Sequence, residues 1–138
     1  GGYIHPGDAL VVISGILLGP IHGALAAGIG SALADFMGGY MIYVPITFFV
    51  KSLIAVICYY SYHKLLNKVK PMLIKTIITG CFSTLTVAFG YLFFEYFMYG
   101  AGALASVPAN TIQGISGLII SSILLPLLKQ VPDFRSIL

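Results

Sequence analysis

The stretch ALAAGIGSALADFMGGYMIYVPITFFVK, residues 24–51, decides how the chain is built, because it sets two opposite charges, Asp35 and Lys51, inside otherwise apolar sequence. Residues 20–34 are almost entirely Gly, Ala, Ser, Ile and Leu, a composition that lets neighbouring helices approach the backbone closely. Gly23, Ala27 and Ser31 recur at helical spacing, as do Ala24, Gly28 and Ala32, and again Ala26, Gly30 and Ala34. No face is bulky, so the spacing predicts a thin helix at the centre of a bundle. Gly38 and Gly39 let the chain turn just after Asp35. The next apolar run follows Pro45, and Lys51 lies about six residues inside it, ~9 Å along the axis at 1.5 Å per residue. A lysine at that depth needs a partner or a wet cavity.

Working outward, composition sets the class. The chain of 138 residues is 59% hydrophobic and 8% charged, with a mean hydropathy of +1.01, whereas a soluble domain carries roughly 25% charged residues. This predicts an all-α, polytopic transmembrane helix bundle forming a single domain over 1–138. Ala9–Leu18 is too short to span a bilayer alone, and Gly19 with Pro20 interrupts it. Two short helices meeting at a turn are expected there, with one helix kinked at Pro20 as the alternative. Apolar runs follow at about 46–63, 72–98 and 109–129, which makes five helices. The chain opens on GGYIHPGD, without a signal peptide or a preceding hydrophobic helix, so an additional N-terminal helix is expected to be missing from this sequence. Cys58 and Cys81 sit inside apolar runs at a spacing that fits no metal or redox motif. No metal and no cofactor is expected.

Orientation follows from the basic residues, which favour short cytoplasmic loops. Lys64, Lys68, Lys70 and Lys75 flank one turn, and Lys129 and Arg135 lie near the C-terminus. Loops 1–8, 36–45 and 99–108 then face outside, and they contain no Lys or Arg. With that orientation the strongly polar residues gather near the outer face. Asp8 and Asp35 fall at helix ends, Lys51 under two turns in, Glu95 about one turn in, and Asn110 and Gln113 open the last helix. Helical spacing aligns Asn110, Gln113, Gly114, Gly117 and Ser121; Thr47, Lys51, Ala55 and Cys58; and Thr84, Ala88, Tyr91 and Glu95. Three helices thereby present polar groups and a ring to one volume, an outward-facing cup with a closed floor.

Each group also has a purely structural reading. Asp35 and Lys51 can form an ion pair that pins two helices. Asp8 can be a helix cap, and Asn110 and Gln113 can hydrogen-bond between helices at an average of ~0.6 kcal/mol each. Glu95 has no partner nearby in sequence, which favours contact with a ligand or a wet cavity.

The phrases GYIHPGDAL, GPIHGALAAGIGSALADFMGGY, PITFFVKSL and VPANTIQGISG, in that order, resemble the S component, the substrate-binding membrane subunit, of energy-coupling factor (ECF) vitamin transporters. The likeness covers nearly the whole chain and lies closest to the hydroxymethylpyrimidine, pyridoxine and riboflavin group. It implies six helices, of which the first is expected to be missing from this sequence, and high-affinity vitamin capture from outside by a first outer loop and the outer ends of helices four to six. In this sequence those positions are His5 and Asp8, Thr47 and Lys51, Tyr91 and Glu95, and Asn110 and Gln113. It further implies a transmembrane coupling subunit, against which the S component tips over, and two separate ATPase subunits. Ala24, Gly28 and Ala32 are the small residues expected to contribute to docking. The chain has no G-x-x-x-x-G-K-[ST] phosphate loop and no Ser/His/Asp or Cys/His set on one face, so a binding subunit rather than an enzyme is expected. A self-contained channel or secondary transporter would need a polar path through the midplane or paired broken helices in repeated halves. A structural membrane subunit would use the same polar groups as staples between helices.

Overall fold

The computed structural model describes residues 6–138. Four long helices carry the described chain: α1 (Pro6–Met37), α2 (Val44–Tyr60), α3 (Met72–Tyr99) and α4 (Val107–Leu128), followed by a single turn, α5 (Pro132–Arg135). Short 3-10 segments, Met41–Tyr43 and Gly100–Ser106, join α1 to α2 and α3 to α4, and a π-turn, Ser61–Leu65, closes α2. Among the described residues three stretches are long and apolar enough to cross a membrane: Gly7–Met37, Met41–Leu65 and Met72–Leu128, the last containing both α3 and α4. The architecture is an all-α helical membrane bundle.

The first helix is not straight. Gly19 has φ 89° and ψ 176°, a left-handed backbone that glycine alone adopts without steric cost. Pro20 has no N–H to offer the carbonyl of Ile16, and His63 Nε2 donates to that carbonyl instead, at 2.7 Å. The two arms of α1, 6–18 and 20–37, fold back on each other. A Cβ on Gly23 would lie 2.7 Å from the carbonyl oxygen of Ser14 and 2.9 Å from Cα of Gly15, an approach impossible along one continuous helix at 1.5 Å per residue. The turn expected at Gly19–Pro20 is therefore present, and α1 is a narrow V.

Glycine contacts set the register of the bundle. A Cβ on Gly15 would strike the Ala55 carbonyl oxygen at 2.2 Å, one on Gly28 would strike Ser52 Oγ at 2.1 Å, and one on Gly114 would meet Thr84 Cα at 2.8 Å. Both arms of the V thus pack on α2, and α4 packs antiparallel on α3. Such close approaches maximise dispersion contact where lipid offers no hydrophobic driving force. The apolar core occupies the half of the bundle nearest the Gly19 bend, where Ile16, Ile54, Cys58, Tyr62, Val87 and Leu125 are essentially inaccessible.

Two expectations need correction. The second arm does not run through the centre of the bundle: Ile21, Leu25, Ile29 and Leu33 form an outward stripe, 70%, 47%, 48% and 54% exposed. These four apolar side chains are bulky enough to meet lipid, while the small residues take the remaining faces. The stripe of Ala24, Gly28 and Ala32 is not free for subunit docking either. Ser52 Oγ donates to the Ala24 carbonyl, Gly28 rests on Ser52 and Phe48, and Ala32 is 8% exposed. This stripe is spent on α2.

Candidate functional site

The opposite half of the bundle contains a cavity of about 450 Å³, within the size range of small-molecule sites. It lies between the arms of the V, closed behind by α2 and flanked by Tyr91 of α3 and Gln113 of α4. Small side chains make the room. Ser14 lines it from the first arm, and Ala26, Gly30, Ser31 and Ala34 from the second. The stripe of Ala26, Gly30 and Ala34 legible in the sequence is cavity wall.

The floor is an ion pair. Lys51 Nζ, on a residue only 4% exposed, donates to Asp8 Oδ1, and Asp8 is likewise 4% exposed. A Cβ on Gly117 would lie 2.8 Å from Asp8 Cβ, which sets Asp8 level with the middle of α4, about ten residues or ~15 Å below that helix's first residue at 1.5 Å per residue. Asp8 is thus deep in the bundle rather than at its rim. Its second oxygen, Oδ2, is buried without a hydrogen-bond partner. A buried carboxylate oxygen left in this state is costly until something donates to it.

Above the floor runs a hydrogen-bonded wall. Thr47 Oγ1 donates to Asp35 Oδ2 and lies 2.9 Å from the Tyr91 hydroxyl. The Lys51 ammonium stands 5.6 Å from the centroid of the Tyr91 ring, within reach of a cation–π attraction. Tyr43 approaches the same ring, centroid to centroid 6.4 Å. The aromatic face is therefore held by contacts on more than one side.

The ion pair expected between Asp35 and Lys51 is not formed. Antiparallel packing of the second arm against α2 puts Gly28 at Ser52 and Asp35 at Thr47, one turn toward the opening from Lys51. The first arm runs parallel to α2, so that Gly15 meets Ala55 and Asp8 meets Lys51. Of the residues expected at the site, Asp8, Thr47, Lys51, Tyr91 and Gln113 line the cavity together, and Asp35 joins them. Glu95, 6% exposed, and Asn110, whose Nδ2 is buried without a partner, are not among the lining residues. His5 lies outside the described residues. Ser14 and Ser31 were missed because single serines in apolar helices carry no sequence signal that separates cavity lining from packing.

A membrane bundle with a polar, partly charged cavity in one half and a dry core in the other is a small-molecule-binding membrane protein. Residues 1–130 match the family model described as "ECF-type riboflavin transporter, S component". The chain belongs to this family, the vitamin-binding subunits of ECF transporters. A protein from Pyrococcus woesei, described as "Uncharacterized protein in gap 3'region", is 32% identical over 130 residues, covering 94% of this chain and 84% of its own length. No solved structure matches. The resemblance drawn from the sequence phrases is thereby established at the level of the family, whose members bind substrate for a transporter rather than catalyse a reaction.

Proposed function

We propose that the chain captures a small, flat, hydroxylated heteroaromatic vitamin or vitamin precursor at the outer face of a prokaryotic cell membrane and hands it to an ECF module. Hydroxymethylpyrimidine and pyridoxine fit this description, and riboflavin is the vitamin in the family's own description. The observation that carries the reading is a set of groups meeting in one cavity of about 450 Å³: the Tyr91 ring, the Asp8–Lys51 pair, Thr47 and Gln113. A ring stacks on an aromatic face while a few placed polar groups fix its orientation. Delivery proceeds by reorientation of the whole bundle against a transmembrane coupling subunit, with ATP hydrolysed by two separate ATPase subunits. The outward stripe of Ile21, Leu25, Ile29 and Leu33 is available to lipid during that motion.

Native mass spectrometry of the detergent-solubilised protein, followed by calorimetry with the three vitamins, tests the assignment. Retention of one of them at a single site supports it; no binding to any overturns it. The outward orientation is tested separately by cysteine substitution at Lys68 and Ala101, both exposed, with an impermeant thiol reagent on intact cells. Residue 101 is expected to label and residue 68 is not, and the reverse pattern inverts the topology.

A further inference from the structure

We propose that the cavity accepts ligands that bring hydrogen-bond donors and no negative charge, and that it rejects the phosphate ester of any alcohol it binds. The inference rests on the vitamin-binding reading above and deepens it. It follows from counting hydrogens. A threonine hydroxyl has one hydrogen, and that of Thr47 goes to Asp35 Oδ2. The 2.9 Å contact between Thr47 and Tyr91 is then a bond donated by the tyrosine, which commits the only hydrogen Tyr91 has. Lys51 spends one of its three hydrogens on Asp8 Oδ1 and keeps two. Along this wall the hydroxyl hydrogens of Thr47 and Tyr91 point into the protein.

Beyond the two hydrogens left on Lys51, what the wall offers a ligand is acceptors. Asp8 Oδ2 is buried and unpartnered, and the Tyr91 oxygen, having donated its hydrogen, keeps lone-pair capacity. Gln113 adds an amide that both donates and accepts. Among the described residues the charged side chains lining the cavity are Asp8, Asp35 and Lys51, one positive against two negative. A ligand N–H or O–H directed at Asp8 Oδ2 satisfies a group that is otherwise desolvated without compensation. A phosphate ester brings close to two negative charges into a low-dielectric site that is already net negative, and like charges there repel strongly.

Calorimetry on the full chain in nanodiscs of zwitterionic lipid tests this with three pairs: riboflavin and flavin mononucleotide, pyridoxine and its 5′-phosphate, hydroxymethylpyrimidine and its phosphate. The alcohol that binds is expected to do so roughly a hundred-fold or more tightly than its ester. Asp8→Asn, and Asp35→Asn as an independent variant that leaves the Lys51 pair intact, are each expected to narrow that ratio about ten-fold. An ester bound as tightly as its alcohol, or a ratio unmoved in a variant that still binds, overturns the charge inference and leaves the vitamin-binding reading standing. Failure of every alcohol and every ester to bind overturns both. If neither variant folds, the wild-type ratio alone decides.

Discussion

The two halves of the bundle are built from the same helices and solve opposite problems. Near the Gly19 bend, Val12, Ile16, Ile54, Ala55, Cys58 and Leu125 pack with 0–1% exposure, and the backbone group freed by Pro20 is taken up by His63. In the other half the same helices are held apart. Small residues of the V leave a void, and the charges around it are only partly paired. Unpartnered buried hydroxyls occur in the packed region too, at Thr79 and Ser122, so what marks the cavity half is charge: a buried carboxylate oxygen without a donor costs more than a buried hydroxyl. On the function proposed above, the contrast separates a region packed for stability from one that gives up stability for binding.

Four substitutions break or sharpen that comparison, in falling order of expected effect. Lys51→Met strands the Asp8 carboxylate at the floor and is expected to destabilise the unliganded protein by about 3–5 kcal/mol. Adding Asp8→Asn should return much of the loss, as read by thermal unfolding in detergent. Additive losses would show that the pair is not coupled. Gly15→Ala drives a methyl toward the Ala55 carbonyl and is expected to cost about 1–3 kcal/mol through overpacking. Vitamin affinity, measured at a temperature where the variant is folded, should change far less. An affinity loss as large as the stability loss would mean that the two halves are not separable.

Gln113→Ala should act the other way round. Losing one ligand hydrogen bond at ~1–3 kcal/mol weakens binding roughly five- to hundred-fold, with the melting temperature of the unliganded protein near wild type. A drop in melting temperature with intact binding would reassign Gln113 to helix packing. Ser121→Ala gives the smallest effect. Its hydroxyl donates to Leu118 within its own helix at 3.1 Å and is fully buried below the floor. Affinity is expected to stay within about two-fold of wild type, because this bond is worth only ~1 kcal/mol and never meets the ligand; a larger change would place the floor deeper than the Asp8–Lys51 pair.

The sequence by itself determined the membrane class, the helical segments, the break at Gly19–Pro20 and the list of polar groups from which a site had to be made. These follow from composition, apolar run length and backbone chemistry, which are local. The helical stripes were legible for the same reason: a period of 3.6 residues fixes which side chains share a face, so Thr47, Lys51, Ala55 and Cys58 turn inward together, each at most 4% exposed. Only the tertiary structure decided what each face meets. Asp8 and Lys51 stand 43 positions apart in sequence, and no spacing rule joins them. Their meeting depends on the first arm folding back at Gly19 and then running parallel to α2. Asp35, although nearer to Lys51 in sequence, is carried one turn past it by the antiparallel second arm. The same geometry distributed three equally plausible small-residue stripes, sending Ala24, Gly28 and Ala32 to a helix contact and Ala26, Gly30 and Ala34 to a cavity. Periodicity gives a face its direction relative to its own helix axis, while the rotation and offset of that helix against its neighbours are set by contacts between residues distant in the chain.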